Sequence, residues 1–235
     1  GITSFAVSDV NVFAGTTGGV FRSMDNGALW SSVNMGLTAS WIPSLAVSGQ
    51  YLYAGTYGGV FLSVDNGISW RTVNNGLTSY EISSLAVRDT NIYTGTHSGG
   101  VFRSTDSGTN WVAVNNGLTN LEVLSLIAKD MYLYAGTAGG VFISKDQGSN
   151  WTAVNNGLTN LQIFSLAMSG IHLYAGTPEG LFHSTDNGAN WSIVKASSFI
   201  TTLAVRGQNL FAGTFFDGIF LSKDNGVSWN AVGNG

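Results

Sequence analysis

The sequence predicts an all-β fold, a six-bladed β-propeller of four-stranded antiparallel blades, and three observations predict it. The motif S-x-D-x-G-x-x-W recurs six times along 235 residues. Four short apolar runs surround each copy. No stretch keeps the i, i+3, i+4 apolar spacing of an amphipathic helix.

The motif copies are Ser23-Asp25-Gly27-Trp30, Ser63-Asp65-Gly67-Trp70 and Ser104-Asp106-Gly108-Trp111, then Ser144-Asp146-Gly148-Trp151, Ser184-Asp186-Gly188-Trp191 and Ser222-Asp224-Gly226-Trp229. Successive aspartates lie 40, 41, 40, 40 and 38 residues apart. A repeat of about 40 residues with four strands is the size of one propeller blade. The second repeat shows the four runs: Ser44 to Val47, Tyr51 to Thr56, Gly58 to Ser63 and Trp70 to Val73. Each is rich in Val, Phe, Tyr and Leu and bounded by Gly, Asn, Asp or Ser, which is how a strand reads. The expected organisation is a single propeller domain over 1–235, with blades at about 1–40, 41–81, 82–121, 122–162, 163–199 and 200–235. The first strand (Ile2 to Val7) and the last (Trp229 to Val232) leave every blade whole, with no strand borrowed and the end blades closing by face packing alone. Part of a longer array is the alternative, because the tail AVGNG resembles the AVNNG that leads into further blades elsewhere.

Antiparallel order then sets a polarity. The motif lies between the third and fourth strands, so all six copies fall on one face together with the turns between first and second strands. The turns between second and third strands, and the loops leading into each first strand, fall on the opposite face. The corner motif suits a rigid turn: Ser and Asp bond nearby backbone groups, Gly takes a positive φ, and Trp brings a large area to bury between blades.

These residues resemble the Asp-box, or BNR, repeat of sialidases and related propellers, and the resemblance covers all six repeats. It implies that Asp25, Asp65, Asp106, Asp146, Asp186 and Asp224 are structural turn residues remote from any active site. A sialidase would need an arginine cluster for the substrate carboxylate, which arginine's planar fork binds in bidentate fashion. The five arginines, Arg22, Arg71, Arg88, Arg103 and Arg206, all fall toward the Asp-box face, so the sialidase catalytic set is not expected.

Comparison among repeats separates framework from candidate site. Framework positions are aromatic in every repeat: Phe13, Tyr53, Tyr93, Tyr134, Tyr174 and Phe211 in the second strand, with Phe21, Phe61, Phe102, Phe142, Phe182 and Phe220 in the third. Variation gathers on the face away from the Asp boxes. The turn tips there are Thr17, Tyr57, His97, Ala138, Pro178-Glu179 and Phe215-Phe216-Asp217. The matched position before each first strand holds Trp41, Glu81, Glu122, Gln162 and Phe199, with Tyr80 beside Glu81. Trp41, Tyr57, Tyr80, Phe199, Phe215 and Phe216 suit stacking on sugar rings. Glu81, His97, Glu122 and Asp217 suit bonding to hydroxyls, giving the mixed lining of a ligand site.

Composition narrows the classes further. The net charge of −4 argues against nucleic acid, which demands a basic stripe. No cysteine is present, which removes disulfides, Cys-ligated zinc and thiol chemistry. No apolar run of about 18 residues exists for a bilayer-spanning helix. His97, His172 and His183 show no metal-ligand spacing, no phosphate-binding loop occurs, and no metal or cofactor is expected. The chain begins at Gly1 without a basic-then-apolar leader, so a targeting segment is expected to be absent or removed. The expectation is a non-catalytic module at an extracellular, cell-surface or periplasmic location, recognising a glycan or a protein surface. One alternative is an assembly scaffold bound to other chains, like the propeller of photosystem assembly factors. The other is a glycoside hydrolase using Glu81 and Glu122, since such enzymes need two carboxylates flanking the bond.

Overall fold

A computed structural model describes residues 1–196 and 198–233. The chain is all-β, built of the six four-stranded antiparallel blades of a β-propeller, and no helix occurs among the described residues. It divides into two compact units, Gly1–Asn115 and Asn116–Gly235. The first unit holds three blades: β1 Ile2–Ser8, β2 Asn11–Thr16, β3 Gly19–Ser23 and β4 Ser31–Ser32; β5 Ser44–Ser48, β6 Tyr51–Thr56, β7 Gly59–Ser63 and β8 Arg71–Thr72; β9 Ile82–Arg88, β10 Asn91–Thr96, β11 Val101–Ser104 and β12 Val112–Ala113. The second holds three more: β13 Val123–Lys129, β14 Tyr132–Thr137, β15 Gly140–Ser144 and β16 Thr152–Ala153; β17 Ser165–Ser169, β18 His172–Thr177, β19 Gly180–Ser184 and β20 Ser192–Ala196; β21 Ile200–Arg206, β22 Asn209–Thr214, β23 Ile219–Ser222 and β24 Asn230–Val232. Each sheet takes its four strands from one contiguous stretch, in chain order.

Apolar clusters sit between successive sheets inside each unit. In the first unit Tyr53, Val60, Leu62 and Val73 of one blade meet Ile82, Leu85, Phe102 and Trp111 of the next. Phe13, Val20 and Val33 meet Ile42, Leu45, Phe61 and Trp70 in the same way. The second unit repeats the pattern around Tyr134, Ile163, Phe182 and Trp191, then around Tyr174, Ile200 and Leu210. Burial of Tyr53 pushes its hydroxyl up to about 12, because the charged form is the one that desolvation penalises.

Apart from β20, the fourth strands are short, and that of the second blade is shorter than the sequence predicts. Trp70 to Val73 contracts to Arg71–Thr72, because the Trp70 amide turns away from its own sheet and donates to the Met35 carbonyl of the preceding blade at 2.8 Å. The Trp70 indole donates to the Val33 carbonyl, and Trp111 and Trp191 do the same to Val73 and Val154. Burial of every corner tryptophan between blades, expected from the repeat, needs correction at the two ends. Trp30, with no blade before it in its unit, is exposed and donates to its own turn at Gly27. Trp229 is half-buried and donates to Gly226. The blade preceding Trp229 lacks the V-N-x-G-L-T segment that receives the tryptophan elsewhere.

That connecting segment carries structural work the sequence reading missed. Asn34, Asn74, Asn115 and Asn155 accept, through Oδ1, the amides of Val20, Val60, Val101 and Val141, each at 2.7 Å. The next asparagine reaches the following blade's corner motif. Asn75 donates to Asn110 Oδ1 at 2.6 Å, and Asn110 Nδ2 donates to Asp106 Oδ2 at 2.7 Å. Asp106 Oδ1 also accepts the Asn110 amide and the Ser104 hydroxyl. The corner itself places two consecutive residues in the left-handed region, as with Asn66 (φ 57) and Gly67 (φ 84). Asn tolerates that region better than other side chains, which explains its frequency before the motif glycine.

These donors hold all six corner carboxyls below the usual carboxylate range, down to about 2 at Asp186 and Asp224. At Asp186 the Asn190 side chain is the largest cause, followed by the Asn190 amide and Ser184. A carboxyl depressed in the folded state contributes stability that is complete above its unfolded pKa and is lost as pH falls through the folded one. Thermal unfolding followed by circular dichroism is therefore expected to be level above about pH 5 and to drop steeply between about pH 4 and pH 2. A melting temperature unchanged down to pH 2 contradicts the assignment.

Candidate functional site

The turns between second and third strands and the loops leading into the first strands are tied together by backbone bonds. His97 N–H donates to the Glu81 carbonyl, Ala138 to Glu122 and Phe215 to Phe199; Gly59 donates to Tyr80 and Gly19 to Ser40. The two variable positions of a repeat are thus neighbours in space. They sit at the strand ends opposite the Asp boxes, because β7 runs from the Gly59 turn to Ser63 of the corner.

In the first unit this construction assembles an aromatic row. The rings of Trp41 and Tyr57 lie 4.7 Å apart and tilted by 32°. Tyr57 meets His97 edge-on at 5.7 Å, with its hydroxyl 3.3 Å from His97 Nε2. Trp41, Tyr57, Tyr80 and Glu81 are exposed, while His97 is half-buried. Alongside Trp41 runs a cleft of about 180 Å³ lined by Gly18, Gly19, Asn34, Leu37, Thr38, Ala39 and Ser40. No arginine occupies these loops: Arg22, Arg71, Arg88, Arg103 and Arg206 lie in strands at the corner side. Arg22 donates to the Asn66 carbonyl of the next blade's corner.

In the second unit the same positions build an apolar tract. Phe199 stacks on Phe164 at 5.2 Å and meets Phe215 at 5.6 Å, and Phe215 meets Phe216 edge-on at 4.8 Å. Phe215, Phe216 and Asp217 are exposed and Phe199 is half-buried. Glu122 is exposed, and its backbone accepts Ala138. Glu179, at another turn tip, is taken by a local bond from Thr159 at 2.7 Å.

Two features escaped the sequence. Phe164 was detectable, since the matched position holds Thr3, Pro43, Ser83, Leu124 and Thr201 in the other repeats and is aromatic only here. The pairing of His172 with His183 was not. Their rings stack at 5.0 Å with Nδ1 and Nε2 2.8 Å apart, against Tyr174. Burial, then the neighbouring His172, pushes His183 below the usual histidine value. Among the described residues no group of three or more His, Cys, Asp or Glu side chains is placed to hold a metal.

Fold and motif together define a β-propeller whose blades repeat one corner motif and differ in the loops at the opposite strand ends. Residues 85–199 match a family model described as the DUF6242 beta propeller domain. No curated protein matches the sequence. Among solved structures, the extracellular domain of the one-component system BT4673 from B. thetaiotaomicron is similar, with a TM-score of 0.78 and 22% identity over 94% of this chain and 32% of that one. The GH74 xyloglucanase from Xanthomonas campestris is similar at a TM-score of 0.76 and 17% identity, over 97% of this chain and 45% of the enzyme. YCF48 bound to D1 peptide is similar at a TM-score of 0.76 and 16% identity, over 97% and 80%. The chain thus spans under half the length of the first two, and at these identities the likeness is one of fold.

Proposed function

We propose that the chain is a non-catalytic binding module acting outside the cytoplasm, and that the loop face of its first unit takes a neutral glycan. The observation that carries this reading is the Trp41–Tyr57–His97 row. Three rings in succession, with Tyr57 touching both Trp41 and His97, stand at the solvent edge, where no core requires them. A sugar presents one apolar ring face and several hydroxyls, so exposed aromatics supply the stacking surface and neighbouring polar groups the orientation. The shallow cleft beside Trp41 suits a ligand lying across the surface rather than one swallowed whole. The absence of arginine from these loops supports a neutral ligand and argues against a sialidase-type carboxylate site. Propeller neighbours that include a xyloglucanase and an extracellular sensor domain are compatible with this role.

A second reading, a protein or peptide surface, is favoured by the Phe164–Phe199–Phe215–Phe216 tract, which brings apolar area and continues in the chain to Asp217. YCF48, whose fold is similar, has been captured with a peptide. Titration of neutral oligosaccharides by calorimetry separates the two. Trp41→Ala and Tyr57→Ala are each expected to weaken binding at least about tenfold without lowering thermal stability. Phe215→Ala is expected to leave glycan affinity unchanged. Full affinity in Trp41→Ala, or no neutral glycan bound at millimolar concentration, overturns the glycan reading.

A further inference from the structure

Histidine occurs 3 times in the chain, and two of these residues meet on one blade. His172 opens β18, and His183 stands in β19 directly before the corner serine, Ser184. His183 pairs in register with Tyr174, and His172 lies two residues before Tyr174. Side chains two apart on a strand share a face, so all three project together. That face is turned to the sixth blade: Tyr174 packs with Ile200 and Leu210, and its hydroxyl donates to the Asn225 carbonyl at 3.2 Å. The two imidazoles are parallel to within 12°, with centroids 5.0 Å apart, while His172 Nδ1 and His183 Nε2 face each other at 2.8 Å. A nitrogen gap so much shorter than the ring separation means that the rings overlap little and meet edge to edge. Tyr174 lies over His183 at 4.7 Å and 15° and steadies its plane.

We infer that His172 Nδ1 and His183 Nε2 together bind one late first-row transition-metal cation, Cu²⁺ in preference to Zn²⁺, on the corner side of the fifth blade. Two nitrogens held by one cation at about 2.0–2.1 Å each stand roughly 3 Å apart, close to the gap already present. A small opening of the pair is enough to admit the ion, and both residues are half-buried, so solvent reaches them. The repeat sets these two residues apart. At the His172 position the other blades carry Asn or Tyr, and at the His183 position Arg, Leu or Ile. The pair is therefore no requirement of the fold. In the free pair one ring donates its N–H to the other. Binding moves that proton to the far nitrogen of its own ring, leaving His172 protonated at Nε2 and His183 at Nδ1, both neutral. Burial already favours neutral His183, the form a metal requires. Imidazole donors suit Cu, Zn and Ni, with Cu²⁺ bound most tightly, whereas Ca²⁺ and Mg²⁺ take oxygen. No third His, Cys, Asp or Glu converges there among the described residues, so water completes the coordination and the affinity is moderate. The spacing of the two histidines in the chain gave no expectation of this site, and it stands independently of what the loop face binds.

Calorimetric titration of the untagged chain with Cu²⁺, Zn²⁺ and Ca²⁺ at neutral pH tests it. Cu²⁺ is expected to bind at one site with a Kd of about 10 μM or tighter, Zn²⁺ more weakly, and Ca²⁺ not at all. Electron paramagnetic resonance of the Cu²⁺ form is expected to show coupling to imidazole nitrogen. His172→Asn and His183→Leu substitute residues that other blades carry at these positions, so the fold is retained, and each is expected to weaken Cu²⁺ binding at least about tenfold. Circular dichroism checks folding; if one variant does not fold, the other decides alone, because a site of two donors fails with the loss of either. Cu²⁺ binding weaker than about 10 μM in the wild type, a spectrum without nitrogen coupling, or undiminished affinity in a folded variant overturns the inference.

Discussion

Trp111→Ala is expected to lower the unfolding free energy by about 3–5 kcal/mol, the range for deleting a large buried aromatic, and the melting temperature by roughly 6–20 °C. Trp111 is 3% exposed and packs among Tyr53, Val60, Val73 and Leu77 of the preceding blade. Its indole donates to the buried Val73 carbonyl at 2.7 Å. Truncation leaves a cavity and strips that carbonyl of its donor, and the two losses act together. The protein contains its own control. Trp30 occupies the same motif position at 40% exposure with only a local bond, so Trp30→Ala is expected to cost about 1 kcal/mol or less. Denaturant unfolding of both variants checks the pair. Equal losses at Trp30 and Trp111 would show that the motif tryptophan acts within its own corner rather than between blades.

Gly76→Ala is the second large effect, expected at about 2–4 kcal/mol from a single methyl group. Gly76 sits at φ +89, and a Cβ there would lie 2.1 Å from the Trp111 carbonyl oxygen and 3.1 Å from its carbon. Both are backbone atoms, so no side chain can turn aside. Relief requires moving the connector away from the next blade. That displacement would break the bond from Trp111 N–H to the Asn75 carbonyl and the Asn75–Asn110 contact. The left-handed backbone adds a further strain of about 1 kcal/mol for any residue with a Cβ. Gly36, Gly117 and Gly157 meet the backbone of Trp70, Trp151 and Trp191 in the same way. Gly49→Ala, at a turn with open space around it and φ +58, isolates the conformational part. A loss at Gly76 no larger than at Gly49 would remove the close approach from the account.

The corner turns and strands were legible because their causes are local. Ser63, Asp65 and Gly67 bond one another within five residues, and β6 and β7 are neighbours in both chain and space. The connector was read as a loop because its partners lie elsewhere: Asn74 serves a strand 14 residues back, and Asn75 serves a corner 35 residues ahead. At the candidate site, repeat-to-repeat variation marked Trp41, Tyr57 and His97 individually. Their arrangement in one row rests on the ring contacts Trp41–Tyr57 and Tyr57–His97, between residues distant in the chain. Phe164 entered the second tract through a ring contact across 35 residues, and His172 found His183 diagonally across two paired strands.

From its sequence alone this protein is determined to be a repeat of six like sheets with one uniform and one diversified edge. A period, an alternation and a turn motif are all short-range, and six copies average away local exceptions. Only the tertiary structure decided which aromatics are core and which stand free, as Trp111 and Trp30 show from identical motif positions. Burial depends on what lies across the gap between sheets, and nothing in the residues flanking a tryptophan records whether a neighbouring blade is there to cover it.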